Sequence, residues 1–538
     1  MPTFGTTRHL RSGSSTDCRT RTRSLGKILP GAVALVLWCA VPAGAQSART
    51  IRELIAAGDA AWAAREHDAA RAAYAEVVRR DSSYSRAVFR LGMLLAWKNS
   101  LDDALSLYRL YSRLEPRDAE GPLAVARTLA WASRYGEAIA TYDSLLARDR
   151  GLQGAALGRA RTLAWSGNLR EATTRYEEWL REHPRDADAW CGLAAVLHWS
   201  GHTRVAREAL RRALEIQPTH AEARAQLRWV EATLSPSVEP SVVTTDDTDH
   251  NRSTVYAITA GVPMPGGVRG TVAGSHRAAQ LTSLRGTATT GRAAVRWSPA
   301  AGRVTLRGEL GATSLAGNDG GGVRSASTEL LAGARVSGRL GRGVAAGVGI
   351  SRAPFDETAA LIFGGLTTTS VDGDVDWTLP ARLSLGVGLS RASITGGTVE
   401  NTRLAASGAF RWTPRRGTSL ALGGRTFEYE NEAYDGYFAP KRYLLLEGSA
   451  RTSLGREFGW VVEGEAGVGQ QSITFFGGGT NGRLASRGTI ALIYRWAPGV
   501  EWKLSAGLAN VASPTTVSSA EYRAWNVGMA GGVVIPRF

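Results

Sequence analysis

Two hydrophobic rhythms divide the chain. From residue 51 to 220 apolar and small positions return with helical spacing inside a longer period of 34 residues: Trp97, Trp131, Trp165 and Trp199 form one column. Ala70, Ala104, Ala138, Ala172 and Ala206 form a second, and Tyr74, Tyr108, Tyr142 and Tyr176, continued by Leu210, a third. Gly58, Gly92, Ala126, Ala160 and Ala194 put a small residue where two helices approach closely. From about Ser237 the rhythm becomes strict alternation. Val304, Leu306, Gly308 and Leu310 share one face of an extended segment, and Arg303, Thr305, Arg307 and Glu309 the other.

The first rhythm predicts helical hairpins over 51–84, 85–118, 119–152, 153–186 and 187–220, with a capping helix over 221–234. Pro116, Pro184 and Pro218 stop second helices. Length and column positions resemble the tetratricopeptide repeat, in which each hairpin buries its apolar face against its neighbours and leaves a concave partner-binding surface. The Trp column closes each first helix, with Arg127 and Arg161 one turn before Trp131 and Trp165. Trp97, Arg127, Trp131, Arg161, Trp165 and Trp199 are therefore the candidate partner-binding groove for a peptide or sugar chain; packing between repeats is the alternative use of the same rings.

The second rhythm predicts a membrane β-barrel: long strands, one apolar face for lipid and a polar lumen. Four strands end in a recurring phrase: Arg296-Trp297-Ser298-Pro299, Asp376-Trp377-Thr378-Leu379-Pro380, Arg411-Trp412-Thr413-Pro414 and Arg495-Trp496-Ala497-Pro498. Trp297, Trp377, Trp412 and Trp496 then read as a one-sided interfacial girdle beside short turns, with longer loops at the opposite end. Strand starts fall near 237, 253, 268, 284, 303, 325, 343, 367, 382, 402, 418, 442, 459, 484, 500 and 522. That makes sixteen strands, or fourteen if Ser237–Asp246 is not one. The chain ends in Phe538, and a terminal Phe after an amphipathic strand resembles the signal read by the outer-membrane barrel-assembly machinery.

At the other terminus, Arg19, Arg21, Arg23 and Lys27 precede an apolar stretch from Ile28 to Val41 and then Ala43-Gly44-Ala45, the pattern of a cleaved signal peptide over 1–45. The expected order is signal peptide 1–45, repeat solenoid 46–235 and barrel 236–538. The net charge of +16 is almost entirely Arg, since Lys27, Lys98, Lys441 and Lys503 are the only lysines; no nucleic-acid partner is expected from it. With three cysteines, two of them inside the signal segment, no disulfide framework exists. The histidines lack metal-ligand spacing, no nucleophile elbow or phosphate-cradling loop stands in strand-to-helix context, and no enzyme activity, metal or cofactor is expected. Asp247-Thr248-Asp249-His250-Asn251 opens like a calcium loop but lacks the later Gly and Glu, so a hairpin turn is expected.

An exported repeat solenoid followed by a barrel resembles the export porins for poly-N-acetylglucosamine and cellulose. It also resembles the YaiO-type outer-membrane barrel proteins, whose repeats carry Leu-Ala-Trp phrases such as Leu129-Ala130-Trp131 and Leu163-Ala164-Trp165. The resemblance implies a bacterial outer-membrane location in contact with outer-membrane lipid, a periplasmic protein partner for the solenoid, and passage of a polysaccharide chain. The alternatives are an outer-membrane-anchored scaffold without transport and a general solute porin.

Overall fold

The computed structural model describes residues 50–299, 304–341, 343–415, 417–511 and 522–535. The expected signal peptide, Arg303 and Phe538 lie outside them. The described chain parts into two compact units, one up to Arg175 and one from Tyr176 onward.

The first unit is built from α1 (Ile51–Ala63), α2 (His67–Arg80), α3 (Ser85–Trp97), α4 (Leu101–Leu114), α5 (Glu120–Trp131), α6 (Tyr135–Arg148) and α7 (Gln153–Trp165), with α8 (Leu169–Glu182) crossing the division. Thr50 opens α1 with a reciprocal cap: its hydroxyl accepts from the Glu53 N–H at 3.3 Å, and the Glu53 carboxylate accepts from the Thr50 N–H at 2.8 Å. The Tyr column is the buried core, and small residues make room for it. A Cβ added at Gly58 would lie 2.8 Å from the Tyr74 ring, and one at Gly92 2.9 Å from Tyr108. In the next hairpins the clearance moves. Tyr142 sits on Gly158, two positions before the Ala160 of the small column, and there a Cβ would come within 2.6 Å.

The second unit contains α9 (Ala187–Trp199), α10 (Thr203–Ile216), α11 (Ala221–Leu234) and the barrel. Cys191, in no disulfide among the described residues, is buried among Ala206, Leu210 and Val230 and accepts from the Gln226 amide at 3.2 Å. Only Ser235 and Pro236 separate α11 from the first strand. The Trp229 indole N–H on α11 donates to the Glu457 carboxylate at 2.8 Å, and its ring stacks on Phe458, 6.0 Å away.

Sixteen strands form the barrel. They are β1 (Ser237–Asp247), β2 (Asn251–Pro263), β3 (Val268–Leu281), β4 (Leu284–Trp297), β5 (Val304–Asn318), β6 (Arg324–Gly341), β7 (Val344–Pro354) and β8 (Thr367–Leu379). There follow β9 (Leu383–Thr395), β10 (Asn401–Arg415), β11 (Thr418–Tyr429), β12 (Arg442–Gly455), β13 (Gly459–Thr474), β14 (Thr480–Ala497), β15 (Val500–Ala509) and β16 (Ala524–Val534). Each pairs antiparallel with its sequence neighbours, and β1 closes on β16 with Val242 opposite Met529. Because β1 is a full member of the sheet, the count is sixteen and fourteen is excluded. Closure satisfies every edge, which a sheet facing hydrocarbon requires. The outer face carries Leu310, Leu330, Leu389, Leu422 and Leu508, all strongly exposed in the isolated chain. This is a transmembrane barrel that buries its apolar surface in lipid rather than in a core.

Gly267, at φ +76°, shows why the short turns need glycine: a Cβ there would fall 2.0 Å from the Ser298 carbonyl oxygen of the adjacent turn. No helix among the described residues is long and apolar enough to cross a membrane.

Candidate functional site

The helical candidates are brought only partly together. Trp97 ends α3 and is 53% exposed; Trp131 ends α5 and is 49% exposed. Trp165 is half-buried against the core and Trp199 is half-buried at the end of α9. Arg127 and Arg161 are exposed, and Arg127 lies 3.6 Å from Glu120. The column therefore divides by burial: Trp97 and Trp131 are exposed, and Trp165 and Trp199 are half-buried. One member lies outside the 34-residue period. Trp62, one position off register, stacks on Trp97 with ring centroids 5.5 Å apart, and the His67 ring meets Trp97 edge-on at 5.2 Å. Arg90 lies over the Trp62 ring at 5.1 Å and donates to the Tyr74 hydroxyl at 2.6 Å, while Tyr74 donates to Asp59. Burial raises the Tyr74 hydroxyl pKa, so it stays a donor. The stacked Trp pair is flanked by Asp59 and by the two arginines that pair with it, Arg86 at 3.0 Å and Arg90, a group that can meet an aromatic, aliphatic or sugar face.

In the barrel, Trp297, Trp377, Trp412 and Trp496 all point outward at the short-turn end. Trp460 at the start of β13 joins them, with its ring 4.8 Å from that of Tyr494, which in turn meets Trp496 at 4.7 Å. No Pro follows Trp460, so the recurring phrase did not reveal it.

The lumen has two storeys. Toward the short turns it is polar and charged. Arg335 pairs with Asp372 and Asp374, and Arg487 bridges Glu447 at 2.8 Å and Glu465 at 2.7 Å. Arg307 pairs with Glu309 at 2.9 Å and Arg495 with Glu501 at 2.8 Å. Arg411 and Arg425 line an open cavity of about 620 Å³ with Asp376, Ser407 and Glu447, walled by Gly386, Gly388 and Gly423. Arg307, Glu309, Arg411 and Lys503 occupy inward strand positions, as the alternation requires.

Toward the long loops the lumen is filled. The loop between β7 and β8 forms α12 (Ala359–Gly364), whose N-cap Thr358 accepts from the Leu361 N–H at 3.3 Å and whose end is Gly365 at φ +65°. This helix turns into the barrel: Ala359 and Ile362 pack on Ala279, Ala288 and Leu315, inward residues of β3, β4 and β5. On its other side Leu361 joins Ile394, Phe427, Tyr443 and Ile473 from the wall and Tyr437 and Phe438 from the loop between β11 and β12. That second loop is latched. Asn401, buried at the start of β10, donates through its amide to the Asn431 carbonyl at 2.7 Å and the Tyr437 hydroxyl at 3.1 Å, and accepts from the Asn431 N–H at 3.0 Å. Of the loop's aromatic residues only Tyr434 is exposed; Tyr429, Tyr437 and Phe438 are buried in the apolar cluster. Sequence reasoning missed α12 as a lumen element. Its signal was Thr358, the run Leu361-Ile362-Phe363 and Gly364-Gly365 in a segment otherwise placed outside the barrel.

Asp247 accepts from the Asp249 and Asn251 N–H groups, both at 3.0 Å, closing the β1–β2 hairpin as a polar turn. No cluster of metal-ligand residues occurs among the described residues.

Residues 55–119 and 132–197 match models of the tetratricopeptide repeat, and these segments are such repeats. No curated protein matches the chain. Among solved structures, a bacterial polysaccharide outer membrane secretin is similar over 55% of this chain and 98% of its own, at 14% identity and a TM-score of 0.43. CdiB from Acinetobacter baumannii is similar over 55% of this chain and 60% of its own, at 9% identity and 0.37. YrrB, a TPR protein with an unusual peptide-binding site, covers 32% of this chain and 90% of its own, at 20% identity and 0.26.

Proposed function

We propose that this protein is an outer-membrane conduit for a polysaccharide, held shut by its long loops, with its tetratricopeptide repeats as a periplasmic docking surface for a protein partner. The observation that carries the reading is the division of the lumen. A sixteen-stranded barrel is too wide for wall side chains alone to fill. Here the wall itself leaves a charged, open cavity, and closure is supplied by two loop segments instead. A permanently solid barrel has no use for a charged, water-accessible half, because ionic groups without solvent carry a heavy desolvation cost.

The chemistry of the lining points to cargo. Arginines with part of their charge met by Asp and Glu suit a hydroxyl-rich chain, neutral or anionic, and disfavour a cationic one. The junction of α11 with β1 on the short-turn side, and the contact of Trp229 with Glu457 and Phe458, support a periplasmic position for the end of the repeats. The role is passive: the chain binds, guides and gates, and catalyses nothing.

The second reading, an anchored scaffold without transport, is favoured by the apolar closure of the loop end. Blocking experiments separate the two. In planar bilayers, a variant whose loop latch is broken should pass current that neutral or anionic oligosaccharides interrupt from the short-turn side and cationic ones do not. Uninterrupted current, or none in a folded variant, favours the scaffold.

A further inference from the structure

The two rims of the barrel's outer face differ in chemistry. The short-turn rim carries a girdle of outward Trp rings, whereas the loop rim carries arginines, with Trp525 opposite Asp246 as an outward Trp there. On the outward face of β2 to β6 one continuous cross-strand row runs Arg252, Gln280, Arg285, Asn318, Arg324, each residue directly opposite the next. All three arginines are exposed. Arg252 pairs with Asp246 at 2.6 Å, while no carboxylate among the described residues pairs with Arg285 or Arg324. The next outward row toward the barrel centre is Ala278, Thr287, Ala316 and Ala326, which leaves the arginines unobstructed from the lipid side.

Height identifies what faces them. Arg285 lies twelve residues from Trp297 along β4. At about 3.3 Å per residue and a strand tilt of about 40°, that is roughly 30 Å along the membrane normal. With Trp297 at one interface, Arg285 lies at the opposite headgroup layer. The row also climbs. Strands are about 4.8 Å apart, so in a barrel tilted by about 40° a cross-strand row rises about 3 Å per strand, and each arginine stands about 6 Å above the previous one. A glycerophospholipid offers one phosphate plane. A staircase spanning about 12 Å instead matches a tall headgroup carrying anionic groups at several depths.

We propose that Arg285 and Arg324, with Arg252 below them, bind the phosphates of a multiply phosphorylated glycolipid of the lipid A type in the outer leaflet. Arginine's forked donors suit phosphate oxygens, and Asn318 between the two unpaired arginines presents a neutral polar side chain that repels neither. The assignment rests on the orientation proposed above, short turns inward, and is independent of whether the lumen conducts.

The test uses the purified full chain in detergent, with native mass spectrometry to count retained lipids. Bisphosphorylated lipid A, its dephosphorylated form, phosphatidylglycerol and inorganic phosphate are the probes. The unmodified protein should retain bisphosphorylated lipid A at least tenfold better than the dephosphorylated form or phosphatidylglycerol. R285Q/R324Q should lose at least tenfold of that retention and keep the heat-modifiable migration of a folded barrel; R285K/R324K should recover part of it. Equal retention by R285Q/R324Q, or equal retention of phosphatidylglycerol, overturns the proposal. Displacement by millimolar inorganic phosphate alone also overturns it, since it reduces the row to a generic anion patch. Reversed orientation would appear as loss of surface protease access to the long loops in cells, and failed transport as absent current with lipid retention intact.

Discussion

Replacing Asn401 with Ala removes the latch of the β11–β12 loop while keeping the backbone pairing of β10 with β9. Asn401 makes three hydrogen bonds to that loop, at 2.7, 3.0 and 3.1 Å, and is buried. At about 1 kcal/mol net each, their loss weakens docking by roughly 3 kcal/mol. That corresponds to about a hundredfold rise in the undocked population. The loop's apolar anchors Tyr437 and Phe438 remain, so the loop still returns. Two readouts follow the same equilibrium. Trypsin cleavage after Lys441, which is exposed but sits in the loop, should accelerate by about two powers of ten when reclosing outpaces cleavage. Brief current steps in a planar bilayer should become about a hundred times more frequent by the same population shift. Faster cleavage with unchanged current would refute the claim that this loop closes the lumen. No change in either would refute the latch.

Three further outcomes concern the helical half. Gly158→Ala forces a Cβ to within 2.6 Å of the buried Tyr142 ring and should cost about 1–3 kcal/mol; the helical thermal transition should fall while the barrel still migrates as folded. His198 has its pKa lowered by burial, and its Nδ1 lacks a partner, so the folded state prefers the neutral ring. The unfolded chain binds the extra proton first as pH drops, so the contribution is intact above the unfolded value of about 6.5 and is lost on acidification below it. Helical melting should therefore drop between pH 7.5 and 5.5, and His198→Gln should flatten that dependence. If the repeats dock a protein partner as proposed, Arg127→Ala with Arg161→Ala should abolish its capture with helicity unchanged; retained capture would rule out these two arginines as the docking surface.

The strand pattern was legible because a membrane barrel writes its fold in period two, and the sixteen expected starts all fall within four residues of the observed ones. The helical repeat region was legible for a similar reason, since successive hairpins rebuild the same Tyr pocket. Three features were not. Helix α12 spans six residues, too few for a helical period to emerge, and its apolar side chains face barrel residues far away in sequence. Trp62 missed its column by one position because α1 continues one residue beyond it. The pairing of Arg335 with Asp372 and Asp374 depends on the register of β6, β7 and β8, which only cross-strand pairing sets.

If loops rather than the wall close the lumen, as proposed, removing them opens it. Single-channel recording of the full chain against a variant with residues 430–441 replaced by a short Gly/Ser linker and Leu361, Ile362 and Phe363 changed to Ser decides between loop and wall. The unmodified protein should be nearly silent and the folded variant should give large, long-lived current steps. A folded variant as silent as the unmodified protein would show that the wall itself closes the lumen.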